Sequence, residues 1–358
     1  MNDVIVVDGA GGYIAGHVVK RLIGAGYRVR AVDLPNINLN CLAGQNVETA
    51  SFDMTKPETL ASVLDGASAI VHCAAAFDLS LPYEVLERVN VLGTRNLVKA
   101  CQDAGVKRFI HFSTGGVYGE AQYCPVDEKH PLKPLDNYSV SKLMAEQEVT
   151  GAGDGIKYTV FRPTAVYGPG GKYIAGIFFS CACILAGLNI RIPRIIGGPI
   201  MNWVHVEDCA GAVEFALRDE QTIGKIFNLA EVESYNAGEF FSILEDNLGI
   251  KTKGQIRVAP GLVSALGKLG WHLPKIISTA PITWLFKREW KKIVSNHHLL
   301  PELQPGFTHD LYLFLIGPHA YSSKALCDLG FVHKHPSFRA SFPSVVQWYR
   351  DQNWIPQA

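Results

Sequence analysis

A glycine-rich run, Gly9-Ala10-Gly11-Gly12-Tyr13-Ile14-Ala15-Gly16, follows the apolar run Val4 to Val7 directly and opens a helical pattern. Glycines there let the backbone turn tightly and approach a pyrophosphate, which then sits on exposed N–H groups at the positive end of the helix. The G-x-G-x-x-G spacing fails because Ile14 stands at its last position. G-x-x-G-x-x-A fits instead, through Gly9, Gly12 and Ala15, with the small residue keeping helix and strand close. Alone, such a run also reads as a structural turn.

The first half of the chain alternates short β-branched runs with longer helical patterns, the sequence form of a parallel sheet wound with crossover helices. Strands are predicted at Val4 to Val7, Arg28 to Val32, Val47 to Ser51, Ala69 to Cys73, Arg108 to Ser113 and Lys157 to Phe161. Apolar residues spaced by three and four predict helices over Tyr13 to Ala25, Glu58 to Leu64, Tyr83 to Ala104 and Tyr138 to Thr150. The expected fold is α/β, a doubly wound parallel (Rossmann) sheet, with a smaller, mainly helical C-terminal substrate lobe. Residues 1–169 form the first part and 170–358 the second, with a break at Pro169-Gly170-Gly171. They interleave around 203–230, where Trp203 to Leu217 and Lys225 to Leu229 read as strand, helix and strand returning to the first part. The last hundred residues are rich in aromatics, among them Trp271, Trp284, Phe286, Trp290, Phe307, Tyr312, Phe314, Trp348 and Trp354. Most are expected in the core, and such a lobe can also wall an apolar pocket.

Two further features lie at telling distances from the glycines. Asp33 ends the second predicted strand, where a carboxylate can accept hydrogen bonds from adenosine ribose hydroxyls and would repel a 2′-phosphate, favouring NAD over NADP. Tyr138-Ser-Val-Ser-Lys142 opens a helix, and its i, i+4 spacing places phenol and ammonium on one face. Lys142 is therefore expected to lower the pKa of Tyr138 toward that of a working general base. With Lys plus Arg equal to Asp plus Glu at 33 each, the chain has no net positive field for a nucleic-acid backbone. The eight cysteines include no C-x-x-C pair. No signal peptide or membrane-spanning run is evident, so the expectation is a cytoplasmic, metal-free protein.

Together these segments resemble the extended short-chain dehydrogenase/reductase family, also called the NAD-dependent epimerase/dehydratase family. The resemblance runs through Gly9 to Ala15, Asp33, Asp53, His72 to Ala76, Asn90-Val-Leu-Gly93-Thr94, Ser113 to Gly119, Tyr138 to Lys142, Arg162 to Pro169 and Trp203 to Asp208. It implies Tyr138 as the acid/base, Lys142 as its electrostatic partner and a ribose ligand, and Thr114 as the hydroxyl that holds the reacting oxygen. It further implies a cofactor site of Gly9, Gly11, Gly12, Tyr13, Ile14, Asp33, Asp53, Met54, Ala74, Ala75, Ala76 and Pro163. Asp53 would meet the adenine and Pro163 the nicotinamide carboxamide. A homodimer is the family's default. Asp8 stands where the family usually has Thr, and Ala15 where it usually has Gly, both beside the expected pyrophosphate.

Within the family, dehydratases place an Asp-Glu pair after the active-site Thr, where this chain has Gly115-Gly116. Nucleotide-sugar epimerases present an Arg to the diphosphate at the position of Met201 and often an Asn at that of Ala165, although Arg191 and Arg194 could substitute. Tyr321-Ser-Ser-Lys324-Ala325 through Leu329-Gly330-Phe331 to Trp348-Tyr349 resembles the 3β-hydroxysteroid dehydrogenase-like branch. That resemblance implies hydride transfer between NAD and a secondary alcohol or ketone on a small hydrophobic substrate such as a sterol, terpenoid or polyketide. A 4-epimerase using tightly bound NAD and a non-catalytic NAD sensor are the alternatives. His297-His298 and His333-x-His335 fit no metal-binding spacing, and His205 and Asp208 are assigned to local structure. Leu262 to Lys292 mixes apolar residues with lysines and Arg288, a pattern shared by a helix on a membrane surface and a lobe helix with a solvated basic face.

Overall fold

Every residue of the first strand, Val4–Asp8, is buried, because helices cover both faces of the sheet it centres. This explains a continuous apolar run rather than an alternating one. The computed structural model describes residues 4–42, 44–77, 81–272, 280–306 and 319–357. In chain order its strands are β1 (Val4–Asp8), β2 (Arg28–Asp33), β3 (Glu48–Ser51), β4 (Ala67–His72), β5 (Arg108–Phe112), β6 (Lys157–Pro163), β7 (Val166–Tyr167), β8 (Ile192–Gly197), β9 (Ile200–Met201), β10 (Val204–His205), β11 (Lys225–Leu229), β12 (Tyr235–Asn236) and β13 (Thr252–Val258). The helices are α1 (Tyr13–Gly24), α2 (Leu60–Leu64), α3 (Tyr83–Leu86), α4 (Gly93–Asp103), α5 (Asn137–Thr150), α6 (Ile174–Gly187), α7 (Val206–Arg218), α8 (Ala237–Leu248), α9 (Pro260–His272), α10 (Ala280–Asn296), α11 (Lys324–Cys327) and α12 (Phe338–Asp351).

Seven strands form one parallel sheet in the order β11-β6-β5-β4-β1-β2-β3. The winding reverses between β1 and β4, so their carboxyl ends open a crevice, the place where doubly wound sheets take ligands. Val18, Val19 and Leu22 of α1 and Cys209 and Val213 of α7 pack on one face with Ile5, Val7 and Val71. Leu60, Leu97, Val98 and Val149, from α2, α4 and α5, pack on the other with Val6, Ile70 and Phe109. This alternation of neighbouring β1 residues between two cores is the period-two geometry of a strand.

A third core joins α6, α8, α10 and α12 through Phe179, Phe240, Trp290, Phe338, Phe342 and Tyr349, with Tyr167 and Trp203 beside them. Trp290 donates its indole N–H to Leu303 O at 2.6 Å, which satisfies the polar handle of a buried tryptophan. Trp348, Trp354 and Phe286 pack around the same core, whereas Trp284 is 62% exposed. Phe307, Tyr312, Phe314 and the Trp271 side chain lie outside the described residues.

One helix differs from its sequence pattern. The stretch Tyr83 to Ala104 is interrupted by a π-helical segment, Glu87–Leu92, between α3 and α4. Its wide turn holds Asn90, whose side chain makes three hydrogen bonds to segments outside its own helix, and π turns recur at functional sites for this kind of reason.

Candidate active site

The glycine run turns as its composition requires. Gly9 adopts φ +64°, and a Cβ there would lie 2.9 Å from Ala74 Cα. Gly12 donates to Gly9 O at 2.7 Å, and a Cβ on it would stand 2.9 Å from that oxygen. Gly11 faces Asp33, donating its N–H to Oδ2 at 2.9 Å, while Leu34 N binds Oδ1 at 2.8 Å. The carboxylate is thereby fixed at the rim of the loop. Ile14 packs on the core beneath. The Tyr13 ring is turned to the loop of Gly168 and Gly171, 3.2 Å from the Cβ position of Gly171.

Asp8 is fully buried and points into the junction of β1 and β4. Its Oδ1 accepts from the Cys73 and Ala74 amides at 2.6 and 2.7 Å, and its Oδ2 meets His72 Nδ1 at 2.6 Å. His72 Nε2 lies 2.9 Å from Thr94 Oγ1. The departure from the family's Thr is thus absorbed by hydrogen bonds that hold the β4 loop against the glycines. Ala76 is clamped by Asn90, through N–H to Oδ1 at 2.7 Å and Nδ2 to O at 3.1 Å. The same Asn90 donates to Ser141 Oγ at 2.9 Å, tying the Ala74, Ala75 and Ala76 segment to α5. Asp53 follows β3 and binds Thr55 N and Oγ1, which hold its carboxyl below the usual range. Met54 is buried against Gly93, and its carbonyl accepts from Asn96, so its side chain belongs to the core.

Asp136 caps α5, accepting from Ser139 N at 2.8 Å. Nearly three turns on, α5 is anchored by the buried pair of Glu146 with Arg162 of β6. Arg162 also donates to Tyr118 Oη at 2.9 Å. Tyr138 is half-buried and Lys142 fully buried between these anchors. Thr114 accepts from Gly116 N at 3.1 Å, and Gly116 in turn packs on Ser139, so the Thr114 loop and the start of α5 meet across one glycine.

The expected net lowering of the Tyr138 pKa is corrected in sign, because burial rather than Lys142 dominates it. Burial, with the Asp136 carboxylate adding to it, pushes the Tyr138 phenol above its ordinary value. The same loss of water lowers Lys142 to about 8, against the opposing pull of Asp8, Cys73 and Glu146. Spacing sets proximity, and desolvation outweighs it here. His111, in register with His72 across β4 and β5, has its pKa pushed well below the ordinary value, chiefly by burial, with Lys142 adding to it.

These residues fit a dinucleotide. Gly9, Gly11 and Gly12 form a cradle that side chains would fill, and Asp33 stands at its rim. Beyond Phe112 and Pro163, at the ends of β5 and β6, the buried hydroxyls of Ser113 and Thr164 have no protein partner. Sequence reasoning missed Phe77 and Tyr173, whose rings stack edgewise in a row with Tyr138, at 5.0 Å from Phe77 to Tyr138 and 4.7 Å from Phe77 to Tyr173. They come from separate segments, and no local pattern marks them. Tyr321, read from sequence only as part of a C-terminal motif, packs 3.1 Å from the Cβ position of Gly115.

Elsewhere, His205, Glu207 and His335 cluster at metal-ligand distances, but Glu207 is engaged by Lys334 at 2.7 Å and His335 at 2.8 Å, and His205 Nδ1 accepts from Glu207 N. Asp208 accepts from Lys334 N and His335 N at 2.7 and 3.1 Å, a structural role. Met201 packs on the aromatic core, and Arg194 is bound to Glu245 and Asp246 at 3.0 and 3.3 Å. Among the described residues, no helix is long and apolar enough to cross a membrane.

Residues 5–230 match the NAD dependent epimerase/dehydratase family. The chain is 28% identical over 250 residues to human sterol-4-alpha-carboxylate 3-dehydrogenase, decarboxylating, covering 66% of this chain and 64% of that protein. It is 26% identical over 358 residues to sterol demethylase protein B of Methylococcus capsulatus, covering 98% and 99%. The solved UDP-glucose 4-epimerase of Thermotoga maritima superposes with a TM-score of 0.71 at 21% identity, over 97% of this chain and 99% of that one, a likeness of fold. The chain is an NAD-dependent enzyme that belongs to the NAD dependent epimerase/dehydratase family of extended short-chain dehydrogenases/reductases, in its 3β-hydroxysteroid dehydrogenase-like branch.

Proposed function

We propose that the enzyme moves a hydride between NAD and a secondary alcohol or ketone on a hydrophobic ring or chain of sterol, terpenoid or polyketide type. NAD, when bound, accepts or returns the hydride. Gly9, Gly11 and Gly12 would hold its pyrophosphate and Asp33 its adenosine ribose. Asp53 would meet its adenine, the Ala74, Ala75 and Ala76 segment its backbone, and Pro163 the carboxamide. Tyr138 Oη moves the hydroxyl proton, and Thr114 Oγ1 holds the reacting oxygen. The resting phenol is protonated, the form that donates to a carbonyl oxygen. Oxidation of an alcohol needs the proton drawn off, and the Lys142 ammonium favours that step by stabilising phenolate.

The observation that carries the substrate class is the aromatic wall. Phe77 is 49% and Tyr173 38% exposed, and both rings line up with the proposed acid/base. Exposed rings in such a place suit an apolar ring or chain. Met201 and the paired Arg194 point the same way, since a sugar diphosphate would want free cations.

The test is NADH formation in the near ultraviolet from hydrophobic secondary alcohols, with NAD and NADP in parallel. NAD should be preferred, and Tyr138→Phe should lower turnover by about 10²- to 10⁴-fold while leaving NAD binding intact. Full turnover in that variant overturns the acid/base assignment. Inversion of a nucleotide sugar without net NADH would make the enzyme an epimerase instead.

A further inference from the structure

Buried polar side chains form an unbroken series of hydrogen bonds from Asp8, at the end of β1, to the backbone of Tyr138. Asp8, His72, Asn90, Thr94 and Ser141 are each 1% exposed or less, so their donors and acceptors must be matched from within. The direction of the series follows from its far end. Ser141 Oγ donates to Tyr138 O at 2.7 Å and therefore accepts from Asn90 Nδ2 at 2.9 Å. The Asn90 amide cannot be turned about, since its Oδ1 accepts from the Ala76 N–H and its Nδ2 donates to the Ala76 carbonyl. Thr94 Oγ1 donates to Asn90 O at 2.6 Å. A hydroxyl carries one hydrogen, so the contact of His72 Nε2 with Thr94 Oγ1 at 2.9 Å requires a hydrogen on Nε2.

His72 Nδ1 in turn lies 2.6 Å from Asp8 Oδ2, where two bare acceptors would repel. One more hydrogen is needed there than a carboxylate and a neutral ring with its hydrogen on Nε2 provide. Asp8 Oδ1 accepts from the Cys73 and Ala74 amides, which favours the carboxylate and puts that hydrogen on the ring. His111, whose ring lies 5.1 Å from that of His72, makes no hydrogen bond through either nitrogen and offers no alternative partner. We propose that Asp8 and His72 form a buried carboxylate–imidazolium pair and act as positioning residues for hydride transfer, orienting the bonds through Thr94, Asn90 and Ser141 that seat the first turn of α5 and the Tyr138 phenol. The positioning role rests on the reaction proposed above, whereas the protonation of the pair does not. With its only hydrogen on Nδ1, the ring would draw the Thr94 hydroxyl to Nε2 and away from Asn90 O. The second ring hydrogen therefore decides whether the series is continuous, and a carboxylate at position 8 is what lets a charged ring stand so far from water.

The experiment uses the full chain in two arms. In protein carrying isotopic nitrogen in its histidines, long-range proton–nitrogen NMR reads the hydrogens on each ring nitrogen, and the His72 signals are those lost in His72→Gln. Both His72 nitrogens should carry hydrogen at neutral pH. In Asp8→Asn, whose amide can donate to Nδ1, Nδ1 should be bare. A bare His72 nitrogen in the parent overturns the pair, as does an unchanged signature in Asp8→Asn. The second arm is turnover with the alcohols of the NADH assay. Thr94→Val removes the hydroxyl at nearly constant volume and should lower kcat by about 10- to 100-fold, with the Kd for NAD within about twofold of the parent's. Thr94→Ser, which keeps the hydroxyl, should recover most of kcat. Ser141→Ala cuts the series at its last link and should show the same split, which keeps the test decisive if Thr94→Val misfolds. Undiminished kcat in both cut variants, an equal loss in Thr94→Ser, or a loss carried by NAD binding overturns the positioning role. The NMR arm is read without turnover, so a fully active Tyr138→Phe protein removes the reaction and leaves the pair standing. An active Thr94→Val beside an inactive Tyr138→Phe removes the positioning role and leaves the reaction standing.

Discussion

Lys142 shows how much a single buried charge is asked to do. Its folded-state value near 8 lies below the ordinary 10.5, so between those values the unfolded chain holds the proton that the folded chain has lost. Stability therefore rises with pH across that window: the penalty of the buried ammonium is complete below about pH 8 and gone above about pH 10.5. Replacing Lys142 with Met should stabilise the chain at pH 7 by about 3 kcal/mol, with the gain shrinking as pH approaches 10.5, and should abolish turnover. Urea unfolding at pH 7 and pH 10 checks this, and an equal gain at both would refute it. The residue pair itself was legible from a spacing of four. The net direction of the Tyr138 shift was not, because water exclusion depends on β1, β4 and β5, all distant in sequence. Asp8 is the opposite case, a residue noticed only as an exception whose partners, His72 and the Cys73 and Ala74 amides, explain it once the strands are paired.

At the scale of elements, the site is an alignment of α5 with the ends of three strands, held by Asp136 at its cap, Asn90 at its side and Glu146 to Arg162 at its middle. The strand ends and helix starts were readable because Gly9, Gly12 and Asp33 answer to local backbone needs. The π turn was not, because its cause is the Asn90 side chain reaching Ala76 and Ser141 rather than any periodicity. The short helical turn Gly115–Tyr118 supplies a structural reason against dehydration. A side chain at Gly115 would meet Tyr321 at 3.1 Å, and one at Gly116 would meet Ser139. Installing the dehydratase pair as Gly115→Asp with Gly116→Glu should lower stability by about 1–3 kcal/mol or more through overpacking and confer no dehydration. Thermal melting reads the first part, and an unchanged melting temperature would contradict the packing.

Across the whole molecule, the sequence separated a wound sheet from an aromatic second core, but not the way the two are stitched together. Tyr349 of α12 donates to Gly168 O at 3.2 Å and also to Gly171 O, and His17 Nε2 of α1 meets Pro169 O at 3.0 Å, so the predicted break is a junction clasped from both sides. Tyr321 reaches further, donating to Gly115 O at 3.3 Å and packing against Tyr118, while its amide binds Asn202 Oδ1 at 2.9 Å. Tyr321→Ala should cost about 3–5 kcal/mol and reduce turnover. Tyr321→Phe, which keeps the ring, should cost about 1 kcal/mol, and equal losses in the two variants by chemical denaturation would contradict a packing role.

The Tyr321 contact spans 206 positions of chain. Contacts between such distant residues close late, because the intervening polypeptide must be ordered before they repay its entropy. During synthesis, the glycine cradle, Asp33, Tyr138 and Lys142 have all been made long before residue 321. A polypeptide made only that far still lacks β11 and α7, and its Thr114 loop lacks the Tyr321 ring that packs on it. Packing of the Thr114 loop therefore waits on a residue from the far end of the chain.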